Sequence, residues 1–297
     1  MKIIVWLLLA LIWSSTWIFI KVGLKDLPAF GFVSLRFLLA AAVLAPFVLF
    51  RKGEGIPKNR KQWQLLGLTG VLQFTINYSS VFWAEQYITS GLAAVLQAMI
   101  VVFGLILAWI FLPAERITTR KIFAVGLGVV GVAVIFIDQL GVHNQLAFAA
   151  CVLIVVGAYA AAQSSILIKA KATELRPEVI VFWQMVCGLP AIIVYSLLTE
   201  GSPLEYRWSF VAVGSIFYLG IVGTVVAFCC YYWLLNRIES TNAMMISLVT
   251  PLLAVLIGWL ALGETLPPQT GVGGLLIIAS VALLVFKKKR NAAQATA

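Results

Sequence analysis

The stretch Trp13–Lys21, WSSTWIFIK, returns 148 residues later as Ala161–Lys169, AAQSSILIK. In both copies small polar residues interrupt an apolar run, and a lysine ends it. The same offset carries Arg36, within LRFLLAA, onto Gln184, within WQMVCG. Because a fixed internal period determines the fold of a repeat protein, we interpret one half of the chain as a copy of the other.

The composition places the chain in a membrane. Of its 297 residues, 62% are hydrophobic and 11% are charged, and the mean hydropathy is +1.04. Soluble domains carry about 25% charged residues. Apolar runs of about 20 residues, the length at which a helix crosses the hydrocarbon core, recur from end to end. We therefore predict an all-α membrane protein with ten transmembrane helices, arranged as two five-helix inverted-topology repeats.

The two predicted repeats cover residues 1–140 and 146–290, and residues 291–297 form a short tail. Five spans is an odd number, so the second copy has to enter the membrane upside down. Its loops agree with this: the basic loop Arg51–Lys61 corresponds to Glu200–Arg207, which holds two glutamates and one arginine. Inverted repeats are a common plan for transporters that alternate access to a midplane site.

The basic residues predict the orientation, because lysine and arginine prefer cytoplasmic loops. With the N-terminus inside, the predicted outer loops hold only Lys25 and Arg207, and the tail begins with the basic run KKKR. We expect both termini in the cytoplasm, a multi-pass protein of the cell inner membrane, and contact of the tail with anionic lipid headgroups. The net charge of +10 does not indicate nucleic acid as a partner, because the basic residues are spread over short loops.

Enzyme chemistry finds little support in the sequence. The one histidine, His143, lies in the predicted link between the halves, and the four cysteines lie inside apolar runs, as packing residues do. There is no Walker loop, GxSxG or CxxC motif. The acidic residues fall in loops or at span ends, which argues against a buried carboxylate relay. We expect no enzyme activity, no cofactor and no metal.

The chemistry inside the predicted spans is uncharged, polar and aromatic. An amide in hydrocarbon is costly unless it is paired or hydrated, so these side chains should face the bundle interior. They either line a cavity for a small organic solute or bond neighbouring helices together; their number favours the cavity. The predicted cavity residues are Trp13, Ser14, Trp17, Gln73, Asn77, Tyr78, Gln97, Tyr159, Gln163 and Ser247.

Four further residues have structural or gating interpretations. Arg36 lies well inside a span; it either binds an anionic substrate group or, as we favour, locks helices, since Gln184 takes the equivalent position. Pro251, inside span nine, predicts a kink that is either a hinge or a passive bend. Glu85, at the end of span three, is either a solvated turn residue, which we favour, or a site of proton or cation recognition.

Residues at the span ends have similar alternatives. Lys21 and Lys169 close the two repeated stretches, and we favour snorkelling to the interface over a gating role. Glu115 and Glu264 follow spans four and nine, where we expect them to cap a helix or pair with a basic neighbour such as Arg116.

Over nearly its whole length, the chain resembles the EamA-type ten-helix exporters of the drug/metabolite transporter (DMT) superfamily. The matching stretches are WSSTWIFIK, the segment around Gln184, the glycine-rich last span, LRFLLAA at Leu35–Ala41, GLAAVLQA at Gly91–Ala98 and TPLLAVLIGWLALGE at Thr250–Glu264. The family commonly has a proline in span four, where this chain has Val101 or Val102, and the first copy ends LPAE instead of LGE. We therefore do not expect the two halves to bend alike.

The resemblance implies an inner-membrane exporter of small metabolites, amino acids or similar, acting as a monomer or homodimer. Its cavity would lie between two five-helix bundles that rock against each other. Without an ATP-binding motif the energy has to come from a gradient, and both uncoupled movement and proton exchange stay open. The alternatives are a facilitator for drugs or other metabolites, a membrane-embedded lipid-modifying enzyme, and a sensor or scaffold.

Overall fold

Each apolar run of the sequence forms a helix. The computed structural model describes residues 1–50, 55–142, 144–262 and 268–285, and these contain helices and turns but no strand. The helices are α1 (Lys2–Gly23), α2 (Ala29–Leu49), α3 (Arg60–Ala84), α4 (Ser90–Gln97 and Met99–Phe111), α5 (Thr119–Ile135), α6 (Gln145–Lys171), α7 (Pro177–Thr199), α8 (Phe210–Leu235), α9 (Ser240–Met244 and Ile246–Leu262) and α10 (Pro268–Val285).

Eight of the described helices are long and apolar enough to cross a membrane. In α10 the shorter apolar stretch is Pro268–Leu284, and α5 has 17 residues. At 1.5 Å per residue α5 is about 26 Å long, slightly less than the ~30 Å hydrocarbon core. The all-α membrane class is confirmed, whereas the ten-span repeat arrangement stays a prediction.

Side-chain caps set where several helices begin. A free backbone N–H of a first turn finds an acceptor in the side chain of the residue just before the helix. The caps and the residues whose N–H they accept are Asn59 with Gln62, Thr89 with Leu92, Thr118 with Lys121, Asn144 with Ala147, and Ser209 with Ala212. These polar residues separate one apolar run from the next, so the connections stay short.

The two sequence halves are interleaved. Helix α2 packs along α7, α5 along α10, α4 along α6, and α1 along α9, and each pair joins one helix from each half. One hydrophobic core is built mainly from α1, α2, α3, α7 and α8, and a second mainly from α4, α5, α9 and α10, while α6 contributes to both. The expected division into two separate five-helix bundles does not match this packing.

Glycines allow the closest of these approaches. A Cβ on Gly188 of α7 would lie 2.7 Å from the Gly70 carbonyl oxygen of α3, and one on Gly70 would lie 2.9 Å from the Gln184 Cα. Helices α5 and α10 meet in the same way, since a Cβ on Gly131 would lie 2.8 Å from the Gly273 carbonyl oxygen. Small residues at such crossings let backbones approach, which is a main source of helix association in a bilayer.

Candidate functional site

A cavity of about 140 Å³ lies where helices of the two cores face each other. One water needs only about 10–15 Å³, so the space suits a small solute. The wall residues come from α1, α2, α3, α4, α6, α8 and α9: Trp13, Thr16, Trp17, Ile20, Arg36, Gln73, Asn77, Tyr78, Val81, Gln97, Ile100, Ala161, Ser165, Phe228, Tyr231, Ala243, Met244, Ser247 and Thr250.

Seven of the ten predicted cavity residues lie in this wall. They are Trp13, Trp17, Gln73, Asn77, Tyr78, Gln97 and Ser247. Arg36, for which a structural role was favoured, lies in the wall as well. The structure thus gathers predicted residues from Trp13 of α1 to Ser247 of α9 around one space.

Three predicted cavity residues lie outside the wall. Ser14 is fully buried, and its hydroxyl donates to the Ala10 carbonyl of its own helix. Tyr159 is 45% exposed, and its ring and that of Phe103 pack in a T-shaped contact. Gln163 does not line the cavity.

The helical period explains why α6 was misread. Ala161 and Ser165, four residues apart, face the cavity. Tyr159 and Gln163 are also four apart, but each lies two residues from a wall residue, which is about 200° around the helix. The polar pattern identified the face of α6 that carries Tyr159 and Gln163. In the folded protein the opposite face, with Ala161 and Ser165, lines the cavity.

Helix irregularities occur in pairs at equivalent places of the two halves. Helix α3 has a π-helical stretch at Val71–Asn77, and α8 has one at Tyr218–Val226. Helix α4 is interrupted at Ala98 and α9 at Met245. At both interruptions the next turn tightens, with N–H to carbonyl bonds of 3.1 Å from Val101 to Ala98 and from Leu248 to Met245.

These irregularities surround the cavity. Gln73 and Asn77 lie in the π-helical stretch of α3 and in the wall, and Met244 and Ser247 flank the interruption of α9. Inside a bilayer, non-helical backbone is tolerated where it is buried in protein or lines a cavity, and π-helical turns are frequent at functional sites. The irregular backbone segments and the polar side chains therefore lie around the same cavity.

Pro251 lies inside the continuous segment Ile246–Leu262, six residues after the interruption at Met245. Pro251 has no N–H for the Ser247 carbonyl, which instead accepts the Thr250 hydroxyl at 3.3 Å. In the first half Val101 and Val102 lie inside the regular segment Met99–Phe111. The expectation that the two halves do not bend alike at the proline position stays a prediction.

Arg36 is the one charged residue among the described wall residues. It is 1% exposed, its Nε donates to Thr224 Oγ1 at 2.9 Å, and its Nη2 donates to the Gly223 carbonyl at 3.2 Å. Its Cζ lies 4.9 Å from the centre of the Tyr78 ring. Both hydrogen bonds reach the π-helical stretch of α8, so Arg36 also joins α2 to α8.

The amides and indoles of the wall keep unused hydrogen-bonding atoms. Gln97 Nε2 donates to Asn77 Oδ1 at 2.9 Å, which joins α4 to α3. Gln97 Oε1 and Trp13 Nε1 are buried without a partner among the described residues. The Trp13 ring packs at 5.3 Å from Tyr231 and 5.8 Å from Phe228. The wall thus offers aromatic surface together with both a donor and an acceptor.

Gln184 lies outside the cavity wall and joins helices. It is fully buried, accepts the Tyr232 hydroxyl at 2.8 Å, and donates to Ser164 Oγ at 3.4 Å. Its side chain thereby connects α7 with α6 and α8, and its backbone meets Gly70 of α3. Its surroundings are those of a packing position.

One end of the bundle, here called the basic end, carries Lys2, Glu115, Lys121, Lys169 and Arg237. There Glu115 lies 2.5 Å from Lys169 Nζ and accepts the Ser240 backbone N–H at 2.9 and 3.0 Å. Lys169 Nζ also donates to the Ile238 carbonyl. Glu115 thus accepts an N–H at the start of α9 and pairs with a basic residue, as expected, but the partner is Lys169 of the other half and not Arg116. Lys169 is paired instead of snorkelling freely. Glu264, His143 and the KKKR tail lie outside the described residues.

Glu85 lies at the opposite end of the bundle, directly after α3. Its Oε1 is buried without a hydrogen-bond partner in the described ranges. Burial raises the pKa of the Glu85 carboxyl to about 8, and the positive charge of Lys21 partly opposes that rise. Glu85 therefore lies in the turn as expected and is partly exposed, but one of its carboxylate oxygens is shielded from solvent.

Sequence reasoning missed several wall residues. Phe228 and Tyr231 lie in the run AFCCYYWLL, whose aromatic cluster was a usable signal. Ser165 lies within the repeated stretch itself. Ile20, Val81 and Met244 carry no such signal, because apolar wall residues look like packing residues. In the described ranges no three His, Cys, Asp or Glu side chains come together as a metal ion would require.

The chain is similar to several known proteins along almost its whole length. The chain is 27% identical to the "Uncharacterized transporter YoaV" of Bacillus subtilis, over 95% of each chain. It is 29% identical to the "Probable amino-acid metabolite efflux pump" of Escherichia coli K12, over 94% of this chain and 93% of the relative. A solved crystal structure, described only as that of a protein, has the same fold, with a TM-score of 0.80, 17% identity and 96% of each chain covered.

The family-level match covers most of the sequence. The model of the EamA-like transporter family matches residues 1–137 and 148–286. Together with the eight helices able to cross a membrane in the described part of the chain, this match makes the protein a multi-pass membrane protein. The chain belongs to the EamA-like transporter family.

Proposed function

We propose that the protein is a secondary transporter that exports small metabolites, amino acids or similar, across the inner membrane by alternating access. The observation that carries the proposal is the central cavity, with aromatic walls and unused polar atoms, between two hydrophobic cores. The similarity to a probable amino-acid metabolite efflux pump favours amino acids over other small solutes.

The paired irregularities support a repeated architecture. Two π-helical stretches and two interruptions recur at equivalent positions, and helices of one half pack against helices of the other. Repeats of this kind alternate access when packed groups of helices move around a fixed site. The groups that move are the two cores, not the two sequence halves, and the basic end faces the cytoplasm and anionic lipid.

The test is uptake into proteoliposomes that contain the purified protein, with labelled amino acids, with and without a pH gradient. Saturable uptake that exceeds that of empty liposomes supports the proposal. If amino acids are not taken up but other metabolites or organic cations are, the protein is the alternative facilitator. If no solute is taken up, the transporter proposal fails.

A pair of glutamine variants separates the cavity from the bundle around it. Gln97→Ala removes the amide that bonds Asn77 and faces the cavity. We expect its transport rate at low substrate to fall about tenfold, since one hydrogen bond contributes about 1 kcal/mol or slightly more. Gln163→Ala is the matched control because Gln163 does not line the cavity. Equal losses in the two variants would contradict the assignment of the cavity.

Proton coupling is a second candidate, and Glu85 favours it. With a pKa of about 8, the carboxyl is mostly protonated at pH 7 and ionises as the pH rises towards 9. A group that titrates in this range is able to exchange protons with the medium during a transport cycle. We expect Glu85→Gln to lose the stimulation by a pH gradient while exchange at equal pH continues.

The same group gives a stability test with a definite sign. Its pKa is raised above the ordinary value of 4.5, so the unfolded state binds fewer protons between pH 4.5 and 8. Stability should therefore fall as the pH rises through this window. In Glu85→Gln the Tm should change less from pH 5 to pH 8 than in the wild type. An identical pH dependence would show that the carboxyl is not buried.

A further inference from the structure

The cavity holds a buried positive charge that the described residues do not neutralise. Arg36 is 1% exposed, and the described wall residues include no aspartate or glutamate. Burying an unpaired charge is costly, and charged groups within a membrane protein normally face a partner or water. The Tyr78 hydroxyl also interacts with the guanidinium, but a neutral hydroxyl does not balance a charge.

The geometry of the guanidinium leaves one side free. A guanidinium has five N–H donors in a rigid fork. Nε and Nη2 bond Thr224 and the Gly223 carbonyl, while Nη1 is buried without a partner among the described residues. The two bonds to α8 fix the orientation of the guanidinium, and the N–H groups of Nη1 stay unused within the part of the chain that the structure describes.

The remaining wall fits the rest of a small organic anion. Trp13, Tyr78, Phe228 and Tyr231 form apolar surface, Trp13 Nε1 is a second unused donor, and Gln97 Oε1 is an unused acceptor. Arginine is suited to carboxylates because its fork matches their geometry. With one charge in the wall, a monoanionic carboxylate restores neutrality. The carboxylate of a zwitterionic amino acid pairs with Arg36 in the same way, and its ammonium group then needs a polar acceptor such as Gln97 Oε1.

We propose that the cavity selects solutes with one carboxylate, which the free Nη1 of Arg36 binds, while the aromatic wall holds an apolar body. This inference rests on the proposed transport function and narrows its substrate class. A free amino acid or another monocarboxylate qualifies. The carboxamide of the same amino acid and organic cations are excluded, because each would leave Arg36 unpaired.

The first test needs no mutation. Uptake into proteoliposomes is compared for L-amino acids and their carboxamides, which keep the same body and lack the carboxylate, with an organic cation as a third probe. L-phenylalanine, L-phenylalaninamide and 3-phenylpropionate form the leading set because the wall is aromatic. We expect saturable uptake of the carboxylates, and a half-saturation concentration about 100-fold higher, or no uptake, for the amide.

The outcomes separate the inference from the function on which it rests. Uptake of amides or cations as good as that of the acids overturns the inference and leaves a transporter. If no solute of any class is taken up, the proposed function fails and the inference fails with it. Uptake restricted to carboxylates supports both.

Variants then assign the effect to Arg36. Arg36→Gln should weaken carboxylate uptake about 100-fold. The carboxylate uptake of Arg36→Lys, which keeps the charge without the fork, should lie between that of the wild type and that of Arg36→Gln. Arg237→Gln is the control, since Arg237 is exposed and its guanidinium lies 4.2 Å from the Trp233 ring. If Arg36 only joined α2 to α8, Arg36→Gln would lower the Tm and reduce residual uptake of acid and amide alike, which overturns the inference.

Discussion

The Gly70→Val variant is expected to lose about 3 kcal/mol of stability or more, with a lower yield and Tm, whereas Gly67→Ala, one turn earlier on the same helix, should fold normally. A Cβ on Gly70 would lie 2.9 Å from the Gln184 Cα and closer still to the Gln184 carbonyl oxygen. Backbone atoms cannot give way as the end of a side chain can, so α3 and α7 would have to separate. Overpacking a core costs about 1–3 kcal/mol. Because valine is branched and would meet backbone atoms, we expect the cost of Gly70→Val to reach or exceed the upper end of this range.

The control is built into the same helix. A Cβ on Gly67 meets no atom within 4 Å. Gly67→Ala should therefore leave the Tm unchanged or raise it, since alanine favours helix by about 1 kcal/mol over glycine. The measurement is the yield of monodisperse protein in gel filtration, followed by the Tm in detergent. A Gly70→Val protein with the wild-type Tm would contradict the close packing of α3 on α7.

The partner glycine tests whether the crossing is one unit. A Cβ on Gly188 would lie 2.7 Å from the Gly70 carbonyl oxygen. Alanine at either position forces the same two backbones apart. Because the first substitution has already separated α3 from α7, the second one causes little further clash. The Tm loss of the Gly70→Ala, Gly188→Ala double variant should therefore be smaller than the sum of the single losses.

The sequence predicted the membrane class and most of the cavity wall, for physical reasons. Charge is too scarce to solvate a soluble protein, and amides such as Gln73, Asn77 and Gln97 are too costly to face lipid. Trp13 and Trp17, four residues apart, share the face of α1 that the cavity uses. These inferences depend only on composition, on the helical period and on the cost of burying polar groups.

What the sequence did not predict depends on contacts between helices. The repeat shows that the halves are copies, but not that α5 packs on α10 or α2 on α7. The inward face of α6 is set by its neighbours, so Tyr159 points outward although its spacing to Gln163 is helical. The π-helical stretch Val71–Asn77 has no breaker residue, and its counterpart Tyr218–Val226 holds glycines that also occur in regular α-helix.

Removal of the Glu115 carboxylate should produce the largest loss among the charged residues of the basic end. Glu115 is 7% exposed and joins three parts of the chain: its own α4–α5 connection, Lys169 at the end of α6, and Ser240 at the start of α9. Removing one partner of a buried ion pair costs about 3–5 kcal/mol, because the other charge stays buried without it. Lys169 is 17% exposed, so we expect Glu115→Ala to lose about 3 kcal/mol, the lower end of that range.

A double-variant cycle separates the ion pair from local damage. Glu115→Gln and Lys169→Gln should each lower the Tm, and the double variant should lose less than the sum, since neither charge is then left alone. Glu174→Gln, an exposed glutamate in the connection after α6, should leave the Tm unchanged. Because the pair holds α6 to the α4–α5 connection, the single variants should also transport at an altered rate in proteoliposomes. Additive Tm losses would mean that the two residues act separately, which contradicts a coupled ion pair between them.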